Sequence, residues 1–141
     1  ARGASALAPG GQLAVQVPAN DRHPSHRLAH ALAAEEPFAA ALGGYVRPRT
    51  VLEPAGYALV LRRLGFREQH VRLQVYLHEL AAPGDVVEWV RGTLLTDYER
   101  RLPPDLWPRF LAAYRERLLA VLPDERPFLY TFRRLLVWAR R

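Results

Sequence analysis

From Phe66 to His78 the hydrophobic period is two: Val71, Leu73, Val75 and Leu77 fall on one side, His70, Arg72, Gln74, Tyr76 and His78 on the other. That alternation suits no helix and predicts a half-buried strand over 66–78. A second run rich in Phe, Tyr, Leu and Val predicts another long strand over 127–139. With no crossover helix lying on the sheet between them, the two are expected as antiparallel neighbours.

The rest of the chain supplies one more strand and several helices. Gln12-Leu13-Ala14-Val15-Gln16-Val17 reads as a buried strand ended by Pro18, and Asn20 and Asp21 offer turn chemistry or an N-cap before Pro24. Leu28, Ala31 and Leu32 recur at helical spacing, with a break near Pro37 and a further turn from Phe38 to Leu42 closed by Gly43-Gly44. Pro54 opens a helix whose stripe is Tyr57, Val60, Leu61 and Leu64, and Gly65 ends it. Asp85 is placed to cap a helix carrying Val86, Val87, Trp89 and Val90, with Glu88 completing a capping box. A longer helix runs from about Pro104 to Leu122 along Leu106, Phe110, Leu111, Tyr114, Leu118 and Val121.

The first two strands, linked by a helix, fit a parallel unit. The expectation is therefore a single α/β domain over 1–141: a mixed sheet with its last strands antiparallel, and helical lid segments near 24–42 and 84–122. Three strands leave an open edge beside the first. The absence of methionine agrees with a piece of a longer protein.

Composition removes several function classes. Without cysteine there is no disulfide, thiolate metal site or cysteine nucleophile, and no apolar run approaches the roughly 20 residues that span a bilayer. A soluble, cytoplasmic protein without a membrane partner is expected. The net charge of +6 comes from arginines scattered among acids, as in Glu99-Arg100-Arg101 and Arg115-Glu116-Arg117, so no nucleic-acid partner is expected. An anionic small molecule is compatible with that charge. His26 and His30 stand four apart with no third ligand nearby, so no metal is expected.

The segment Leu7-Ala8-Pro9-Gly10-Gly11-Gln12-Leu13 resembles the turn into the fifth strand of class I methyltransferases, and Leu64-Gly65-Phe66 their entry into the sixth. More closely, the chain is similar to the trans-aconitate 2-methyltransferases. The similarity runs through Leu13 to Pro18 with Asn20, Pro24-Ser25-His26, Tyr76 and His78, Trp89-Val90 with Thr93 and Leu95, Phe110-Leu111 with Tyr114, Phe132, Arg134-Leu135, and Val137 to Arg140. The resemblance implies the C-terminal part of a doubly wound, Rossmann-like fold using S-adenosylmethionine. It implies methylation of a small acidic metabolite on a carboxylate oxygen.

This chain also departs from that pattern. Leu94-Leu95-Thr96-Asp97 stands where such enzymes read Gly-Leu-Arg-Pro, Arg133 replaces a proline, and 43–52 has no clear counterpart. The glycine-rich turn and acidic residue that grip the cofactor are missing, so no cofactor-binding residue is assigned here. The chain alone is expected to be inactive, the intact enzyme active. Association with the missing N-terminal half, or with a second copy, is expected.

A carboxylate, with a pKa near 4, is already an ionised nucleophile at neutral pH, so the site needs alignment and dryness rather than a general base. No catalytic residue is assigned. Tyr76 and His78 point the same way from one strand; Trp89 and Thr93 sit one turn apart with Tyr98 just beyond; Arg134 interrupts an apolar strand and must pair, bind an anion or reach water. These six are the expected substrate-binding residues. Two other readings stay open: methylation of another small-molecule oxygen, nitrogen or carbon, and a non-catalytic binding or interaction domain.

Overall fold

The computed structural model describes residues 5–48 and 50–141. In chain order the elements are β1 (Gln12–Pro18), α1 (Pro24–Ala33), α2 (Phe38–Ala41), α3 (Pro54–Arg63), β2 (Glu68–Leu80), α4 (Asp85–Val90), a π-helical turn (Arg91–Leu95), α5 (Thr96–Glu99), α6 (Leu106–Val121) and β3 (Phe128–Arg140). The chain divides into two compact units: the described parts of 1–20, 49–76 and 131–141 form the first, 21–48 and 77–130 the second. Among the described residues no helix is long and apolar enough to cross a membrane.

The first unit is a sheet covered by a helix. Strand order is β1-β3-β2. β1 pairs antiparallel with β3, from Gln12 opposite Arg140 to Pro18 opposite Arg134. On the other flank the start of β2 meets the end of β3. The Arg67 amide donates to the Arg140 carbonyl at 3.0 Å, and the His70 and Trp138 rings lie 5.3 Å apart. β2 is thus antiparallel to β3 as well. The parallel relation expected of β1 and β2 holds in direction but not in adjacency, because the C-terminal strand takes the middle place.

α3 lays Tyr57, Leu61 and Leu64 on Leu135, Val137 and Ala139, joined by Leu13, Val17, Val71 and Phe66. Each fully buried leucine, valine or phenylalanine here contributes roughly 1.5–3 kcal/mol. Gly65, at φ 85°, turns the chain out of α3 in the left-handed region and delivers Phe66 into this core. The half-buried face expected of β2 is corrected: Leu73 and Val75 are 45% and 51% exposed. No described element of this unit covers that face beyond Val71. The expected cap at Asn20 is corrected too, since its side chain braces the backbone of Arg133.

The second unit is helical. His23, not Asn20 or Asp21, caps α1: its Nδ1 accepts from the Ser25 amide at 3.2 Å, with Pro24 at the first helical position. α1 packs along α6, where the Tyr114 hydroxyl donates to the Ser25 carbonyl at 3.0 Å and Arg117 grips both Glu35 oxygens at 2.6 and 2.7 Å. Phe110 stacks edge-on with Phe38 at 5.1 Å and tilts against Tyr98 at 5.3 Å. Val86, Val87, Val90, Leu94 and Leu95 complete a buried apolar layer.

Asp85 does not cap α4. The helix starts after Gly84, the Asp85 carboxylate accepts from the Ala82 amide at 3.0 Å, and Glu88 pairs with Arg91 at 3.6 Å. After Val90 the winding loosens into a π turn, in which the Thr96 hydroxyl donates to the carbonyl of Arg91, five residues back, at 2.8 Å. Such turns break the one-above-another stacking of residues four apart.

Candidate functional site

A series of rings runs through the second unit. The His78 imidazole lies 4.7 Å from the Trp89 indole, Trp89 lies 5.7 Å from Tyr130, and Tyr130 meets His23 edge-on at 4.9 Å. From His23 the contacts become hydrogen bonds. Its Nδ1 is 2.8 Å from the Ser25 hydroxyl, which in turn is 3.1 Å from Nδ1 of His26. The polar positions on β2 and α4 thus meet residues from the start of α1 and of β3.

Burial sets the charge of these groups. Desolvation, with smaller contributions from His23, His30 and Arg47 and against the pull of Asp21, lowers the His26 pKa to about 4. His26 is neutral at physiological pH. Burial pushes the phenols of Tyr114 and Tyr130 up, so both keep their protons. Ser25 is wholly buried. Lying between two imidazoles, it resembles a nucleophile with its base, yet a hydroxyl without access to solvent serves as a tie.

The second unit also holds a cavity of about 290 Å³ lined in part by the small residues Ala33, Ala34, Ala39 and Gly44. Four polar side chains line it: His30, Tyr45, Arg47 and Tyr98. The Tyr98 hydroxyl is 2.7 Å from His30 Nδ1, and burial raises its pKa to about 12. Arg47 donates to the Leu94 carbonyl at 2.8 Å. Nearby, Asp97 accepts from the Tyr45 hydroxyl and from Arg101, whose guanidinium also lies 3.7 Å over the Tyr45 ring. Those two partners hold the Asp97 carboxyl below its ordinary range.

The six expected residues separate into four settings. His78 and Trp89 come together. Tyr98 joins His30 at the cavity. Thr93 lies exposed in the π turn, and its hydroxyl donates back to the Val90 carbonyl at 3.3 Å. Tyr76 and Arg134 belong to the first unit, where the Arg134 guanidinium lies 5.1 Å from the Phe132 ring and 6.0 Å from Tyr76. A half-buried cation thus rests on aromatic faces. Sequence reasoning passed over His23, Arg47 and Tyr130, and weighed His30 only as a metal ligand. Pro24-Ser25-His26 carried a signal, while the partners of Tyr130 stand far from it in sequence.

The described residues do not fit S-adenosylmethionine by themselves. The glycines in the left-handed region are Gly10, ahead of β1, Gly43 and Gly44, after α2, and Gly65, after α3. None follows a strand, so none forms the strand-to-helix turn that brings backbone amides to such a cofactor.

A three-stranded sheet of this kind with its helices is consistent with the C-terminal part of a methyltransferase fold. Sequence comparison points to the same class. Over 141 residues the chain is 44% identical to the trans-aconitate 2-methyltransferase of Deinococcus radiodurans, covering 96% of this chain and 54% of that protein. It is 40% identical over 139 residues to the one from Variovorax paradoxus, covering 97% and 54%. The enzyme of Rhizobium meliloti matches at 40% over 141 residues, covering 96% and 54%. In each case the match is to the C-terminal portion, so the chain spans about half the length of these curated relatives. No protein-family model matches the chain.

Proposed function

We propose that this chain is the acceptor-side part of an S-adenosylmethionine-dependent methyltransferase that methylates a small acidic metabolite on a carboxylate oxygen. The observation that carries this reading is the 44% identity, sustained over 96% of the chain, to a trans-aconitate 2-methyltransferase. In this reading the donor is held by residues outside those described, and the helices of 24–42 and 84–122 cover the acceptor.

What the chain's own residues do follows from their chemistry. The acceptor carboxylate arrives ionised and needs no base. A neutral His26 and a protonated phenol at Tyr98 agree with a site that takes no proton. The His78–Trp89–Tyr130–His23 rings form an apolar wall with polar edges, which holds a planar acid and keeps water from it. Thr93, exposed in the same unit, is the further contact proposed for it.

The test is to incubate the full-length protein containing this segment with S-adenosylmethionine labelled in its methyl group and a panel of small acids including trans-aconitate. Base-labile methyl esters are the expected product. Transfer only to nitrogen or carbon acceptors, or no transfer to any small molecule, overturns the proposal; the latter outcome favours a binding module.

A further inference from the structure

The cavity of the second unit has an electrostatic imbalance. Among the described residues no carboxylate lies within 4.0 Å of the Arg47 guanidinium, and its one direct partner is the neutral Leu94 carbonyl. Asp97 feels the charge of Arg47 but is engaged by Tyr45 and Arg101. Two guanidinium groups thus share one carboxylate, which leaves a net positive potential at a half-enclosed, mostly apolar pocket.

The Tyr98–His30 pair adds a directed donor. Their mutual bond at 2.7 Å uses one hydrogen. Where the imidazole Nδ1–H donates to the phenol oxygen, the Tyr98 hydroxyl keeps its own hydrogen for a ligand. The about 290 Å³ of space is near the lower bound of small-molecule pockets, too small for a nucleotide and adequate for a short-chain acid.

Resting on the reading above for the kind of acid, we infer that the cavity lined by His30, Arg47 and Tyr98 is a carboxylate-binding subsite. Arg47 pairs with a carboxylate group of the acid, and the Tyr98 hydroxyl, held by His30, donates a hydrogen bond to it. The alanine lining accepts the hydrocarbon portion. The segment that carries Arg47 shows no hydrophobic period of its own, which suits a loop kept for its cation rather than for packing.

The experiment measures binding of trans-aconitate, succinate and the neutral trimethyl ester of trans-aconitate to the chain by calorimetry. The acids are expected to bind and the ester not. Arg47→Gln is expected to weaken acid binding roughly 10- to 100-fold, as loss of a charged hydrogen-bonding partner does. Tyr98→Phe weakens it roughly 3- to 10-fold, and Arg109→Gln on the exposed side of α6 leaves it unchanged. Circular dichroism checks folding; should Arg47→Gln unfold, Arg47→Lys, which keeps the charge without the planar fork, and Tyr98→Phe carry the test. Equal affinity in the folded variants and the wild type, equal binding of acid and ester, or no acid binding by the folded chain overturns the inference.

The two readings fail separately. If the full-length enzyme methylates acids with a KM that Arg47→Gln leaves unchanged, the subsite falls and the function stands. If the chain binds acids through Arg47 while the full-length protein methylates none, the function falls and the subsite stands.

Discussion

The side-chain amide of Asn20 bonds both backbone groups of Arg133: its Oδ1 accepts from the Arg133 amide at 2.7 Å, and its Nδ2 donates to the Arg133 carbonyl at 3.3 Å. The Ala19 amide reaches the same carbonyl at 2.9 Å. Asn20 is 3% exposed, so nothing in solvent replaces these bonds. Asn20→Ala is expected to lower stability by about 2–3 kcal/mol in urea unfolding. Asn20→Asp keeps the acceptor but turns an oxygen toward the carbonyl, and is expected to cost at least as much.

His26 makes stability depend on acidity. Its pKa is near 6.5 in the unfolded chain and about 4 in the folded one. Between those values the unfolded chain binds a proton that the native chain refuses, so stability falls as pH drops through the window and levels off below it. A shift of this size corresponds to about 3 kcal/mol, which partial solvent access of the ring reduces to about 1–2. Urea midpoints taken at pH 7 and pH 4.5 are expected to show this loss in the wild type and a smaller one in His26→Gln.

Removing the Tyr114 hydroxyl isolates one bond between α6 and α1. Tyr114→Phe keeps the ring and is expected to cost about 1 kcal/mol, because the Ser25 carbonyl loses the donor that stood 3.0 Å away. An unchanged thermal midpoint would show that water satisfies the carbonyl instead.

The His78 and Trp89 rings lie 4.7 Å apart. In the full-length protein, Trp89→Leu and His78→Ala are each expected to reduce kcat/KM for the acid acceptor roughly 10-fold or more, with the KM for S-adenosylmethionine little altered. A matched loss on both substrates would mean that these rings support the fold rather than the acceptor.

The chain by itself is expected to produce no saturable heat with S-adenosylmethionine, for want of a glycine turn after a strand. Micromolar binding would contradict that expectation.

Periodicity made the elements legible. Strands expected over 12–17, 66–78 and 127–139 appear as Gln12–Pro18, Glu68–Leu80 and Phe128–Arg140, and the helices after Pro24 and Pro54 begin where proline fixes φ. Adjacency was not legible, because alternation reports faces and not neighbours; nothing in Phe128–Arg140 says that it lies between two earlier strands. His23 escaped as a cap because imidazole is rarely one, although its Nδ1 is placed to accept from Ser25. The π turn at Arg91–Leu95 has no apolar period of its own, since Leu94 and Leu95 are both buried. Of the candidate site, His78 was singled out beside Tyr76 on a polar strand face and Trp89 beside Thr93 on a helix, but that His78 and Trp89 meet was not legible, because the contact joins two elements. Nor was Arg47, for its role depends on a loop folding against Leu94 and Tyr98.

The central position of β3 governs the order in which this segment is assembled. The ribosome finishes β1 and β2 long before their shared partner exists, and the ladder from Gln12–Arg140 to Pro18–Arg134 closes a loop of more than a hundred residues. Nascent chains therefore hold both strands without this partner until β3 has been made. Any stop codon ahead of Phe128 leaves β1 and β2 without their shared neighbour, a substrate for chaperones and proteases rather than a shortened protein.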